Sequence, residues 1–171
     1  MPTIAFKAPW SRQLQIISAI CTLLLLGLPL FLASRAPTAP STLYSIAIAL
    51  PPAILALSAF FAIRGYAIKN GNLLILRPGW KTTISLEGLS EAFPDSTAMQ
   101  GSVRIFGNSG LFGYIGLFQN QKLGRYRAFA TDQQKSVVLR LATQTIVITP
   151  DKPERAADIL RQHCQLQPNP N

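Results

Sequence analysis

The chain has 171 residues, 49% of them hydrophobic and only 13% charged, yet its formal charge is +9. A soluble globular domain is about 25% charged, and here the deficit is concentrated: residues 13–63 carry one charged side chain, Arg35, whereas residues 64–171 carry 20, of which 13 are basic and 7 acidic. That division excludes a single soluble globule and an intrinsically disordered chain, which needs low hydrophobicity, and it gives the positive charge a use at a membrane rather than on a nucleic acid.

Residues 1–12 read as an N-terminal tail carrying Lys7, Trp10 and Arg12. The first apolar segment, residues 14–32, is long enough at ~1.5 Å per residue to approach the ~30 Å hydrocarbon thickness of a bilayer. Trp10 and Arg12 stand at one end and Arg35 at the other, as interfacial anchors do. A second segment, residues 43–63, is also uncharged. Pro51-Pro52 interrupts it and predicts a kink, since proline removes a helical hydrogen bond; Pro29 lies in the first segment. Residues 34–42, with Pro37 and Pro40, suffice only for a turn, so residues 13–63 read as a transmembrane helical hairpin. Lys7, Arg12, Arg64, Lys69, Arg77 and Lys81 flank one side against Arg35 on the other. By the positive-inside rule both termini face the cytoplasm of a two-span inner-membrane protein. A cleaved signal peptide is the competing reading of the first segment, but its apolar run exceeds the ~7–15 residues of such a core and a second span follows. Cys21 lies inside the first span and Cys164 near the C-terminus, and one histidine with no Cys-x-x-Cys leaves no metal site.

Residues 64–165 read as one domain and residues 166–171 as a flexible tail. Tyr66-Ala67-Ile68-Lys69, Asn70-Gly71 and Leu73-Leu74-Ile75-Leu76-Arg77 form a hairpin pattern, because Asn-Gly accepts the positive φ angles of a type I′ turn. Pro78-Gly79 makes the next turn and residues 80–86 a third strand. Residues 87–100 are irregular and read mostly as loop. Strand patterns resume at 103–106, 114–118, 123–130, 136–141 and 144–149, with spacings that suggest an antiparallel meander. Asp151-Lys152-Pro153-Glu154 resembles a capping box, with Asp151 accepting from the Glu154 amide. Ala156, Ile159, Leu160 and His163 then recur at helical spacing. The expected architecture is two transmembrane α-helices followed by a mainly-β domain of about seven strands, with a C-terminal helix plugging one end.

Three stretches carry a family resemblance: Phe106-Gly107-Asn108-Ser109-Gly110-Leu111-Phe112-Gly113-Tyr114, Leu123-Gly124-Arg125-Tyr126-Arg127-Ala128-Phe129-Ala130-Thr131-Asp132, and Ile146-Val147-Ile148-Thr149-Pro150-Asp151-Lys152-Pro153-Glu154. Together they resemble the bacterial PH domain family, membrane-anchored pleckstrin-homology-like domains often preceded by two transmembrane helices. The resemblance covers roughly residues 65–163. It implies a seven-stranded, partly open antiparallel barrel with a C-terminal capping helix, and it implies little chemistry, since a fold does not fix a function.

Glycines at 107, 110, 113 and 116 fit neither a Walker A loop nor a dinucleotide fingerprint. They read as turns and close strand approach, with a backbone anion cradle flanked by Arg104, Lys122, Arg125 and Arg127 as the sharper alternative. Arg125 and Arg127, two apart in a strand, share a face and have the geometry to hold a phosphate or carboxylate; a solvated barrel face is the plainer reading. His163 is isolated on the C-terminal helix, and Glu87, Glu91 and Asp95 read as an acidic loop rather than a catalytic set. No catalytic residue, cofactor or nucleic-acid partner is expected. The integral contact is with the lipid bilayer. The functional expectation is a non-catalytic binding or assembly module on the cytoplasmic face, docking a protein segment or a second subunit through an exposed sheet edge. Two alternatives stand beside it: an anionic lipid head-group sensor using the four basic residues, and an accessory subunit of a transporter or envelope enzyme, with the Pro51-Pro52 helix packing on partner helices.

Overall fold

The computed structural model describes residues 3–39 and 41–166, the last four of them by backbone alone. The chain begins with a strand in the segment that reads as a tail. In β1 (Ile4–Lys7) the inward side chain is Phe6, while Ala5 and Lys7 point to solvent, the period-two alternation of a half-buried strand. The chain then turns through Pro9 and Trp10 into α1 (Arg12–Ser34), whose first turn is capped by Ser11 Oγ accepting from the Leu14 amide at 3.1 Å. Ser41 caps α2 (Thr42–Phe60) in the same way at 3.4 Å. The helix continues through Pro51 and Pro52. Tyr44 hydroxyl donates to Leu32 O at 2.5 Å and ties the two helices together near their loop.

Both helices are long and apolar enough to cross a membrane, with mean hydropathy 2.5 and 1.9. Their large side chains face outward: Leu23 is 74% exposed and Leu43 80%, and Leu24, Leu28, Leu30, Ile46, Leu50 and Leu57 are exposed with them.

From α2 the chain returns to β2 (Gly65–Lys69), which pairs antiparallel with β1 from Lys7 opposite Gly65 to Ile4 opposite Ile68. The helical hairpin is therefore an insertion between two neighbouring strands, and it leaves and re-enters the domain at one place. Asn70 (φ 48°) and Gly71 (φ 72°) then form the expected type I′ turn into β3 (Asn72–Leu76). Pro78 and Gly79 (φ 82°) make the next turn, closed by the Arg77 amide on Trp80 O at 2.9 Å, and lead to β4 (Lys81–Ser85). These strands form one sheet in the order β1-β2-β3-β4.

The second sheet contains β5 (Leu89–Pro94), β6 (Val103–Ser109), β7 (Tyr114–Asn120), β8 (Gly124–Ala130), β9 (Val137–Leu141) and β10 (Thr145–Ile148), in the order β5-β9-β10-β8-β7-β6. Two details differ from the sequence reading. Residues 87–100 contain a strand, and β10 pairs parallel with β8 instead of extending a meander. The helix α3 (Pro153–Leu166) begins as expected, but Asp151 does not form the capping box: its Oδ1 accepts from the Lys7 amide at 3.1 Å while its own amide donates to Lys7 O at 2.9 Å. Asp151 fastens β1 to the entrance of α3. Of the expected tail at 166–171, all but Leu166 lies outside the described residues.

The six-stranded sheet has a core on each face. One lies between the two sheets and α3, built on Tyr66, Leu73, Ile75, Leu139, Ile146, Ile148 and Leu160. Tyr66 hydroxyl donates to Phe129 O at 2.7 Å, and burial pushes its pKa up to about 12, so it stays neutral. The other face packs Tyr114, Phe118, Tyr126, Val138 and Val147 against Ala98, Met99 and Leu14 of α1. A fully buried Leu is worth ~1.5–3 kcal/mol, so α1 starts as part of the domain and not as a tether. The sheets face each other without closing into a barrel.

Candidate functional site

The β6–β7 hairpin combines unusual backbone with unusual exposure. Gly107 and Gly116 stand opposite each other in the pairing. A Cβ on Gly107 would lie 2.2 Å from Ile115 O, and one on Gly116 2.1 Å from Phe106 O. Both residues have positive φ, 109° and 138°. The glycines thus permit close strand approach. β6 is the last strand of its sheet, so its outer edge has no strand partner among the described residues. Its pairing register with β7 shifts between Arg104 and Phe106. Val103 is 68% exposed, Ile105 47% and Phe106 78%. An edge strand of this kind offers main-chain donors and acceptors together with apolar side chains to an incoming segment.

The structure divides the four basic residues named from the sequence. Arg125 and Arg127 lie on one face of β8, across β7 from Gln119 and Leu117, and both are exposed. Arg127 reaches over the Phe129 ring at 5.6 Å. Arg104 shares its register position with Phe118 and Tyr126, whose side chains are buried on the opposite face. Lys122 is already engaged: its Nζ sits 2.6 Å from Asp95 Oδ2 and donates to Thr97 Oγ1 at 2.7 Å. Burial works against the charge on Asp95, but hydrogen bonds from Lys122 and from the Thr97 side chain and amide, with the Lys122 charge, outweigh it and hold the carboxyl below its usual range. Arg125 and Arg127 thus remain as an exposed pair with no carboxylate partner among the described residues.

A further basic residue is organised at the root of α2. Arg77, at the end of β3, is only 7% exposed. Its Nε donates to Thr82 Oγ1 at 3.2 Å and its Nη1 to the carbonyl of Phe61. The guanidinium lies 4.8 Å from the Trp80 ring, 5.6 Å from Phe61 and 6.0 Å from Phe129. Burial lowers its pKa from the ordinary value. Trp80 Nε1 donates to Phe60 O at 3.0 Å, and its ring stacks on Phe60 at 5.7 Å. Two side chains of the β3–β4 turn therefore satisfy the carbonyls left open at the C-terminus of α2, where a cation is also favoured by the helix dipole. The sequence places Arg77 at the end of a hairpin strand and in the basic membrane flank; the signal for its contact with α2 is Phe60-Phe61 together with Trp80 beyond a Pro-Gly turn.

Two facing antiparallel-rich sheets and a C-terminal helix, set at the base of two long apolar helices, define a PH-like module. The chain belongs to the bacterial PH domain family, whose model matches residues 64–164. No curated protein and no solved structure matches it. The family match begins one residue before β2, so β1, which completes the first sheet, precedes the matched segment.

Proposed function

We propose that this is a two-span inner-membrane protein with both termini in the cytoplasm, and that its PH-like domain is a non-catalytic binding or assembly module docking a protein segment along β6. The helices support the membrane placement because their apolar side chains face outward, unlike those of a buried core helix. The charge asymmetry supports the orientation, with six basic residues on the domain side against Arg35. β1 and Leu14 support retention of the first helix: cleavage after α1 would remove a strand and a core residue. The observation that carries the docking role is the edge strand β6, with Val103, Ile105 and Phe106 exposed along it. A photo-reactive residue placed at Val103 in the full chain, in native membranes, is expected to trap a protein adduct of discrete mass. Phe106→Lys should abolish that adduct, because a charge on an edge strand blocks pairing. No adduct, or one indifferent to Phe106→Lys, contradicts the reading.

The alternative, an anionic lipid sensor, draws on the unpaired Arg125 and Arg127. Its test is titration of the solubilised full chain with dihexanoyl phosphatidylglycerol. Saturable binding lost in the Arg125→Ala/Arg127→Ala double variant favours the sensor, and binding that is absent or unchanged in the variant opposes it. The third reading, an accessory subunit contacting partner helices, predicts photo-adducts from positions on α2 instead of β6.

A further inference from the structure

We propose that the tip of the β6–β7 hairpin, residues 109–113, is immersed in the cytoplasmic leaflet of the same membrane, lying against α1. The proposal rests on the membrane-spanning reading of α1 and goes beyond it by adding a non-helical element to the lipid contact.

The tip is bonded to the body of α1. Ser18 Oγ donates to Gly110 O at 3.2 Å and accepts from the Phe112 amide at 3.0 Å, so its donor and one acceptor site both serve the hairpin. Gly110 rests on Ile17, where an added Cβ would lie 3.3 Å from its methyl group. Phe112 packs on Trp10 with ring centroids 5.8 Å apart. Ser18 is 17 residues from Arg35, which at ~1.5 Å per residue is about 25 Å of helix. That is less than the ~30 Å of hydrocarbon. With Arg35 at the far boundary, Ser18 and the loop bonded to it lie on the order of 5 Å inside the near one.

Most of the tip's backbone polar groups also meet protein partners. Irregular backbone survives at membrane depth only where its polar groups are satisfied by protein. The Gly110 amide donates to Gly113 O at 3.0 Å, and the Leu111 amide donates to Asn108 Oδ1 at 3.3 Å. Leu111 O accepts from Asn108 Nδ2, and Ser18 serves Gly110 O and the Phe112 amide. The composition agrees: no charged residue falls between Arg104 and Lys122, the longest uncharged run in residues 64–171. Leu111 and Phe112 stand near the middle of that run, at the end of the hairpin.

Depth-dependent fluorescence quenching tests this on the full chain in phosphatidylglycerol/phosphatidylethanolamine vesicles, with Cys21→Ser and Cys164→Ser as background. An environment-sensitive dye is attached through Leu111→Cys, and in separate proteins through Leu24→Cys at mid-helix and Glu87→Cys on the domain. The expected result is that the dye at 111 is quenched by lipids spin-labelled near the head of the acyl chain and shielded several-fold from aqueous iodide. The dye at 24 should respond to deep spin labels and the dye at 87 only to iodide. If 24 is deep but 111 behaves like 87, tip immersion is wrong while the spanning helix stands. If 24 is itself open to iodide, the spanning reading fails and the proposal falls with it.

Discussion

Arg77 is buried without a carboxylate, and its charge is held by a helix-terminal carbonyl, a threonine hydroxyl and three aromatic rings. Hydrogen bonds from a charged donor contribute about 1.5–3 kcal/mol each and Arg77 makes two, so Arg77→Ala should lower unfolding stability of the solubilised protein by more than a single such bond. Arg77→Lys should not restore it, because an ammonium cannot reproduce the planar fork and ring stacking. Asp95 gives a pH signature. Its folded pKa is depressed, so its contribution is present above the ordinary carboxylate value and is lost as pH falls through the folded value. Denaturant midpoints at pH 6 and pH 3 should differ less in Asp95→Asn than in the parent. At this scale the sequence was partly readable. The shared face of Arg125 and Arg127 follows from strand period alone, whereas the Lys122–Asp95 pair joins two turns far apart in the chain and leaves no local pattern.

The elements were most legible where turn chemistry is local. Asn70-Gly71 and Pro78-Gly79 identify their turns because the required φ angles belong to those residues. β5 escaped notice for a physical reason: a bulge between Leu89 and Glu91 puts its buried residues, Leu89 and Ala92, three apart and breaks the period of two. β1 escaped because four residues give little periodicity and its partner lies beyond both membrane-length helices. Gly116→Ala should destabilise the β6–β7 hairpin by on the order of 1–3 kcal/mol from positive φ alone, with the 2.1 Å approach to Phe106 O adding to it; faster amide exchange confined to β6 and β7 would register the effect. Deleting residues 1–7 should expose the β2 edge and release Asp151. The shortened protein should melt at lower temperature and aggregate more readily than the full chain, and an unchanged melting temperature would show that β1 contributes little.

At the scale of the molecule, the helical hairpin is an insertion between adjacent strands. Because Lys7 stands opposite Gly65, the start of α1 and the end of α2 are fixed at one edge of the domain. Ser11 donates to Thr131 O at 3.1 Å and Thr131 Oγ1 to Pro9 O at 2.8 Å, which holds the first connection, while Arg77 and Trp80 hold the second. Hydropathy made the two long apolar helices legible, and the distribution of lysine and arginine carries the expectation of their orientation. The joint was not legible, since it depends on residues flanking β1, β3, β4 and β8 meeting in space. β1, the two sheets and α3 must then lie on one side of any membrane the helices cross, with the connection between α1 and α2 on the other. Cysteine accessibility in intact cells and spheroplasts tests this most directly, using Thr38→Cys and Glu87→Cys in chains lacking Cys21 and Cys164. A membrane-impermeant maleimide should label position 38 from outside and position 87 only after the membrane is opened. Labelling of position 87 in intact spheroplasts would contradict the account.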